Sequence, residues 1–141
     1  MFKGVKEGNF FAVKIFRRKK FSWEEQIKIF ESELLHHKNF YHPNILKIFE
    51  HGLEKEFVLN GVKSLRDFIV TEICVDLFDI VKSTADIRME EPEAWFYFKQ
   101  LLEGIEYLHS QGYSHCDLKL DNILIKDLET VVICDFGHTQ D

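Results

Sequence analysis

Five polar residues stand within or beside apolar, β-prone segments of this 141-residue chain. They are Lys14 inside the first segment, Asp117, Lys119 and Asn122 before the second, and Asp135 just after the third. An ammonium group that is buried alone is costly, so Lys14 requires an anionic partner. Carboxylate and amide oxygens are ligands that Mg²⁺ accepts, and a cation can neutralise phosphate oxygens. The set therefore suits phosphoryl transfer from a triphosphate with its magnesium ion, although Asn122 or Asp135 taken alone could equally be a turn residue.

The order and spacing of these residues resemble the signature of the protein kinases. Residues 115–122 read HCDLKLDN, which is similar to the kinase loop pattern H-R-D-L-x-x-x-N, and residues 135–137 read DFG. Asn122 follows Asp117 by five residues and Asp135 follows it by eighteen, which is the spacing that this family uses. Three residues such as DFG recur by chance, but the combination is specific.

The first third of the chain is similar to the same family. Residues 12–14 read AVK, Glu33 comes nineteen residues after Lys14 on a predicted helix, and residues 42–45 read HPNI, a segment that follows this helix in many kinases. The resemblance covers essentially the whole chain and implies an α+β, two-lobed kinase fold. Residues 1–73 would form a small lobe with antiparallel strands and one helix, and residues 74–141 would begin a helical large lobe that carries the catalytic loop.

The resemblance implies a role for each residue of that loop. Asp117 would accept the proton of a substrate hydroxyl or orient that hydroxyl, and Lys119 would balance charge near the transferred phosphoryl group. Asn122 and Asp135 would ligate Mg²⁺. The form Asp-Leu-Lys is similar to Ser/Thr kinases more than to tyrosine kinases. The implied activity is transfer of the γ-phosphoryl group of ATP to a protein Ser or Thr hydroxyl, with ATP and Mg²⁺ as cofactors.

The resemblance also assigns a nucleotide site. Lys14 would bind the α- and β-phosphates and be held by Glu33, unless the two form only an ordinary ion pair. Six further residues would surround the adenosine, although plain packing would also explain them. They are Thr71 as gatekeeper, the backbone of Glu72 and Cys74 at the adenine edge, Asp76 at the ribose, and Ala12 and Leu124 above and below the purine.

Three features depart from the family pattern. Cys116 stands where Arg is common, which predicts that loop phosphorylation is not the switch through that contact. His37 takes a position that usually holds an apolar residue stacked on Phe136, which predicts a looser stack. Neither a Gly-x-Gly-x-x-Gly before Phe10 nor an A-P-E motif occurs in the sequence, so we expect a kinase fold that is truncated at both ends.

Truncation brings further expectations. The main helix would expose an apolar stripe formed by Leu101, Leu102, Ile105 and Leu108, which predicts marginal stability or aggregation. A truncated pseudokinase that binds nucleotide or a partner without transfer is therefore the alternative to an active kinase. Phosphorylation of a small molecule is a lesser alternative, because residues 115–122 follow the protein-kinase pattern.

Periodicity and chain breakers predict the elements that position these residues. Residues 1–6 resemble a kinase strand, and the segments 10–16, 45–49 and 68–71 are expected strands. Two hairpins are expected, over 57–62 and over 123–133. Ser22 and Glu25 resemble a capping box before a helix over about 23–38. Pro92 and Gly112 bound a helix of about 20 residues, which would be the main helix.

Composition excludes several other functions. The 24 acidic and 18 basic residues give a net charge of −6, which argues against non-specific binding to nucleic acid or anionic membranes. Cys74, Cys116 and Cys134 form no C-x-x-C pair, so neither a disulfide framework nor a zinc knuckle is expected. The sequence contains no apolar stretch of about 18 residues and no signal-peptide core, so we expect a soluble, cytoplasmic protein.

Overall fold

The computed structural model describes residues 1–16, 23–84 and 86–141, without the side chains of residues 23–26, 29, 32, 33 and 59. In chain order the elements are β1 (Phe2–Lys6), β2 (Asn9–Ile15), α1 (Trp23–His37), β3 (Ile48–Leu59), β4 (Val62–Thr71), β5 (Val75–Asp76), α2 (Leu77–Ser83), α3 (Glu91–Ser110), β6 (Ile123–Lys126) and β7 (Thr130–Ile133). A 3₁₀ turn, Leu120–Asn122, precedes β6. The mixed α/β fold with antiparallel sheets agrees with the predicted fold class.

The first sheet is antiparallel and has the strand order β1-β2-β4-β3. The β3–β4 hairpin turns at Asn60 and Gly61, whose φ angles of 50° and 77° are the two positive values that a tight two-residue turn requires. This hairpin is confirmed, as are the strands predicted over 1–6, 10–16 and 68–71. The sheet thus carries Lys14 on one inner strand and the end of β4 on the other.

Helix α1 packs on this sheet through one apolar face. Phe30 and Leu34 are buried together with Ile69 of β4. They are four residues apart and therefore lie on the same side of the helix. The predicted helix is confirmed and ends at His37, whereas the predicted cap, Ser22, lies outside the described residues.

The second sheet has the strand order β5-β6-β7, and α3 packs on it. Gly104 allows the helix to approach closely, because a Cβ there would lie 2.9 Å from Ile133 Cδ1 and 3.1 Å from the Asn44 carbonyl oxygen. Pro92 in the first turn and Gly112, with φ 83°, confirm the predicted limits of the main helix. The predicted hairpin formed by β6 and β7 is confirmed as well.

The apolar stripe of α3 is only partly exposed, which corrects the prediction from sequence. Leu108 is fully buried, and Leu101 and Ile105 are half-buried against the core that includes Ile133. The prediction was wrong for these residues because β7 and the segment after α1 already cover this side of the helix. Leu102 is exposed, together with three aromatic residues nearer the start of the helix: Trp95, Phe96 and Phe98.

The segment between α1 and β3 joins the two sheets. The sequence predicts a strand over 45–49, but β3 begins only at Ile48. The preceding backbone bonds to β7 instead. The Ile133 N–H donates to the Asn44 carbonyl, and the Leu46 N–H donates to the Ile133 carbonyl, both at 2.9 Å. Residues 44–46, at the end of the HPNI segment and just after it, therefore connect β7 of the second sheet to the chain that enters β3 of the first.

Two short elements that follow the first sheet in the chain are not predicted from the sequence. Strand β5 pairs with β6, and α2 follows it directly. Asp76 caps α2, because its Oδ1 accepts the Phe78 N–H at 2.8 Å, and Leu77 is buried against β6 and β7. Both elements are too short for a periodic pattern to indicate them. The lobe boundary expected between residues 73 and 74 stays a prediction.

Candidate active site

A buried histidine fixes the loop that precedes β6. His115 Nδ1 accepts the Asp117 N–H at 3.3 Å, so the ring proton is on Nε2, which donates to the Cys134 carbonyl at 2.9 Å. The ring also meets Phe136 edge-on, with 5.1 Å between the centroids. His115 therefore ties the loop to the segment that follows β7, where the sequence places Asp135.

The carboxylate of Asp117 is held by two side chains of the same loop. Lys119 Nζ lies 2.7 Å from Asp117 Oδ2, and Asn122 Nδ2 donates to that oxygen at 3.0 Å and to the Asp117 carbonyl at 2.8 Å. The hydrogen bond from Lys119 lowers the pKa of Asp117, and the same contact raises the pKa of Lys119. Both groups therefore stay charged at neutral pH. The structure brings together the three loop residues that the sequence singled out.

Asp135 lies beside this loop because the two backbones are bonded. The Cys134 N–H donates to the Asn122 carbonyl at 3.0 Å, which sets the next residue, Asp135, close to Asn122. Asp135 and Cys116 have φ angles of 64° and 62°, in the left-handed region that few residues other than Gly adopt. Such a conformation costs on the order of 1–3 kcal/mol, so the surrounding contacts must hold it in place.

The oxygens of Asn122 and Asp135 fit the ligand preference of magnesium. Because Asn122 Nδ2 bonds to Asp117, the remaining polar atom of the amide is Oδ1. Asp135 adds a half-buried carboxylate, whose Oδ1 lies 3.5 Å from the Gly137 backbone nitrogen. Mg²⁺ is commonly held by one or two protein oxygens and completes its octahedron with phosphate oxygens and water. The donor types present therefore suit this ion.

Lys14 reaches the same region from β2. It is half-buried and lies opposite Ile69 of β4. The pKa of His37 is lowered mainly by burial, and among the nearby charges Lys14 lowers it further whereas Asp135 opposes the shift. Lys14 and Asp135 thus both lie close enough to His37 to influence its protonation. Glu33 belongs to α1, but its side chain lies outside the described residues, so the Lys14–Glu33 contact stays a prediction.

His37 packs closely on Phe136, whereas the sequence predicts a looser stack. The ring centroids are 4.5 Å apart, and His37 Nε2 donates to the Leu46 carbonyl. Burial lowers the pKa of His37 to about 4, so the ring is neutral at pH 7. A neutral imidazole whose N–H is satisfied can occupy a buried position at little cost. This explains how a polar residue fills a place that an apolar one would be expected to take.

Residues of the predicted adenosine pocket come from both sheets. Ala12 lies opposite Thr71 in the first sheet, and Asp76 lies opposite Leu124 in the second. The buried Thr71 hydroxyl donates to the Glu72 carbonyl at 3.2 Å. The structure therefore brings each of these pairs together within its own sheet.

The connection between the sheets contains the two residues predicted to face adenine with their backbone. Burial raises the pKa of the Cys74 thiol to about 12, so this thiol is protonated at neutral pH and is a weak nucleophile. The side chain of Glu72 turns to a different task, since its Oε1 accepts the Lys47 N–H at 3.0 Å. The Glu72 side chain is thus committed to local contacts and the Cys74 thiol is uncharged, so the backbone at both positions is what we expect a ligand to contact.

Two polar residues that support the site are missed by the sequence reasoning. Asn44 Nδ2 donates to the Val131 carbonyl at 2.8 Å and to Gln100 Oε1 at 3.2 Å. Gln100 Oε1 also accepts the Val131 N–H at 3.0 Å. Together they fix β7, the strand that leads to Asp135. The available signal is an Asn directly after Pro43 and a Gln on the otherwise apolar face of α3.

Comparisons with known proteins agree with this geometry. A family model described as protein kinase domain matches residues 1–141. Cyclin-dependent kinase F-3 of Oryza sativa is 37% identical over 126 residues, which are 89% of this chain and 26% of that protein. Nitrogen permease reactivator protein of Saccharomyces cerevisiae is 38% identical over 136 residues, 94% of this chain and 16% of that protein. Serine/threonine-protein kinase SRK2C of Arabidopsis thaliana is 34% identical over an alignment of 153 positions, which covers 98% of this chain and 41% of that protein.

This chain thus spans less than half the length of each of these three relatives. Within the part of the chain that the structure describes, no helix is both long enough and apolar enough to cross a membrane. The match to the family model extends over all of residues 1–141, whereas the loop geometry concerns only the residues around Asp117. The chain therefore belongs to the protein kinase family.

Proposed function

We propose that this chain provides the nucleotide and catalytic site of a Ser/Thr protein kinase, which transfers the γ-phosphoryl group of MgATP to a protein hydroxyl. The observation that carries the proposal is the arrangement of the Asp117 carboxylate. It is bonded to Lys119 at 2.7 Å and to Asn122 at 3.0 Å, next to Asp135. A structural turn has no need to group an oriented carboxylate, an ammonium group and oxygen ligands on one loop.

In this proposal Asp117 orients the attacking hydroxyl and accepts its proton. Its pKa is lowered by the Lys119 hydrogen bond, so it is ionised at neutral pH and ready to accept a hydrogen bond from the hydroxyl. A carboxylate of low pKa is a weak base, which makes orientation its larger contribution before the proton moves. Lys119 offers positive charge where the transferred group gains negative charge.

The phosphates would be held from both sheets. Lys14 supplies a cation from β2. We propose that Glu33 is the anion that holds it, because an ammonium group removed from water needs an anionic partner. Asn122 and Asp135 are the residues that would hold Mg²⁺, which neutralises phosphate charge when it is bound. Asp135 and Lys14 both influence the pKa of His37, which supports placing the proposed metal ligand and the proposed phosphate-binding cation near the same ring.

The adenosine would lie between the sheets. Ala12 and Leu124 would contact the two faces of the purine, with Thr71 behind it. The carbonyl of Glu72 and the backbone of Cys74 would bond the adenine edge, since a carbonyl has a second lone pair beside the one that Thr71 uses. Asp76 Oδ1 caps α2, so Oδ2 is the atom left for the ribose.

Substrate and location are part of the same proposal. We infer a Ser/Thr-containing protein as substrate, from the Asp-Leu-Lys form of the loop and from the relatives named as serine/threonine-protein kinases. A cytoplasmic location suits three cysteines that form no disulfide in the part of the chain that the structure describes.

Transfer from radiolabelled MgATP to a generic basic protein tests the proposal. We expect Asp117→Asn to lower the initial rate about 10²- to 10⁴-fold, because orientation and proton acceptance are both lost. The matched control is Asp121→Asn, an exposed carboxylate in the same loop, which should stay within about twofold of the wild-type rate. Equal rates for Asp117→Asn and the wild type would refute the role of Asp117. Calorimetric binding of MgATP without any transfer would favour the non-catalytic alternative.

A further inference from the structure

An ion pair at the connection between the sheets has no role in the site described so far. Lys126, at the end of β6, places its Nζ 2.6 Å from Glu72 Oε2. The other carboxylate oxygen of Glu72 accepts the Lys47 N–H at 3.0 Å, and the Glu72 N–H lies 3.4 Å from the Lys47 carbonyl. Glu72 directly follows β4. One carboxylate thus links the end of β4 to the segment before β3 and to β6 of the other sheet.

This pair is more shielded from water than an ion pair at the surface. The Glu72 side chain is 10% exposed and that of Lys126 is 38% exposed, whereas Lys63 and Glu56 in the β3–β4 hairpin are 71% and 57% exposed. The hydrogen bond that Lys126 donates to Glu72 also raises the pKa of Lys126, so this ammonium group stays charged at neutral pH. Exposed pairs contribute little to structure, but a nearly buried carboxylate with two donors restrains the backbone that carries it.

The ion pair borders a cavity, so its position depends on its hydrogen bonds more than on close packing. Glu72 and Lys126 line a cavity of about 230 Å³ together with Lys47 and part of the segment after α1. Empty space on this side means that close packing does not fix residue 72 there. The restraints on this backbone, which we propose to contact adenine, are then the hydrogen bonds of the carboxylate together with those of the residue 72 N–H and carbonyl.

We propose that Lys126 is a positioning residue that acts through Glu72 to hold the backbone carbonyl of residue 72 where it accepts the adenine amino group. This inference rests on the proposed function. A group that is already held in its binding position loses less entropy when the ligand binds. The restraint therefore favours ATP over a nucleotide that cannot donate a hydrogen bond to the carbonyl. ITP is such a nucleotide, because it carries an oxygen in place of the adenine amino group.

The test compares MgATP and MgITP affinities, measured by calorimetric titration of the protein that contains this chain. For Lys126→Met we expect the preference for ATP over ITP to fall about five- to tenfold, while the affinity for ITP changes less than about twofold. Lys126→Arg keeps the charge and the reach, and should restore most of the preference. Lys63→Met removes the lysine of the exposed pair and should leave both affinities unchanged.

Each outcome decides the matter. A wild-type ATP preference in Lys126→Met overturns the positioning role, and so does an equal loss of affinity for both nucleotides, which is what a general loss of structure would cause. Glu72→Gln, which keeps an acceptor for the Lys47 N–H, provides the same comparison if Lys126→Met does not fold. Failure of the wild type to bind either nucleotide overturns the proposed function itself, and the positioning role with it.

Discussion

The second sheet and the tip of the β3–β4 hairpin in the first sheet hold their polar groups in different ways. Around the second sheet, Asn44, His115 and Asn122 are each no more than 4% exposed. The side chains of Asn44 and His115 are hydrogen-bonded to other segments, and that of Asn122 to Asp117 of its own loop. In the first sheet the β3–β4 hairpin ends in an exposed turn, and its ion pair, Lys63–Glu56, lies in solvent. Buried polar contacts determine geometry near the proposed transfer site, whereas solvent surrounds the hairpin tip.

The difference follows from the chemistry that each region would perform. Phosphoryl transfer depends on fixed distances between a carboxylate, a metal ion and a phosphate, so misplacement by about 1 Å is costly. The loop 115–122 meets this requirement through bonds to the segment after β7. The hairpin tip has no proposed contact with substrate, and its exposed side chains are consistent with a role limited to completing the sheet.

Phe136→Ala should produce the largest loss of stability and test whether the second region is the better packed. Phe136 is fully buried and contacts the rings of His37, Phe40 and His115. Truncating such a residue costs about 3–5 kcal/mol of unfolding free energy. Phe57→Ala in the half-buried hairpin is the matched variant and should cost under about 2 kcal/mol. Equal losses in urea unfolding would show that the comparison does not hold.

Acidic pH should weaken the junction between the regions through His37. Its folded pKa, about 4, lies below the ordinary value of 6.5, so the unfolded chain takes up the proton first as the pH falls. The contribution of the neutral His37 to the free energy of unfolding is therefore fully present above about pH 6.5. It is lost progressively down to about pH 4, by roughly 3 kcal/mol for a shift of this size. Urea unfolding at several pH values measures the loss.

Two variants isolate the contribution of that histidine. His37→Gln does not titrate and can still donate to the Leu46 carbonyl, so the pH dependence between 6.5 and 4 should be smaller by most of that amount. His51→Gln removes an exposed histidine of β3 and should leave the slope as it is in the wild type. A slope that His37→Gln does not reduce would contradict the assignment of a buried, neutral imidazole.

The sequence predicted most elements of the fold because their signals are local. Asn60-Gly61 specifies a hairpin turn, and Pro92 with Gly112 limits α3 to 20 residues, as observed. The strand predicted over 45–49 was placed too early, because residues 44–46 bond to β7, which is distant in sequence. A local pattern carries no information about such a partner.

The candidate site shows the same division. The spacing of Asp117, Asn122 and Asp135 indicated residues that the structure places in one region. The two hydrogen-bond donors to the Glu72 carboxylate could not be predicted. Lys126 and the Lys47 N–H belong to other segments of the chain, and no sequence motif includes them. The fit of His37 against Phe136 was also beyond the sequence, since it depends on how far burial shifts a pKa.

Gly104→Ala should have a smaller but still measurable effect and sharpen the comparison by probing how closely α3 approaches its sheet. The new Cβ would lie 3.1 Å from the Asn44 carbonyl, a backbone atom that cannot move aside easily. We expect a loss of about 1–2 kcal/mol, since overpacking outweighs the better helix propensity of alanine. In Gly4→Ala of β1 the new Cβ would lie 3.0 Å from a Val13 methyl group, which can turn aside, and 3.9 Å from the Phe11 carbonyl oxygen, so stability should change by less than about 0.5 kcal/mol.

Breaking the exposed ion pair of the hairpin should have the smallest effect. Lys63 and Glu56 are joined at 3.1 Å, but both side chains are mostly exposed. Solvent screening and the entropy of two long side chains reduce the contribution of such a pair, so Lys63→Met should change the unfolding free energy by less than about 0.5 kcal/mol. A double-mutant cycle with Glu56→Gln isolates the pairwise part of this change. A coupling above about 1 kcal/mol would mean that the hairpin tip is held as firmly as the loop around Asp117, and the contrast between the two sheets would have to be abandoned.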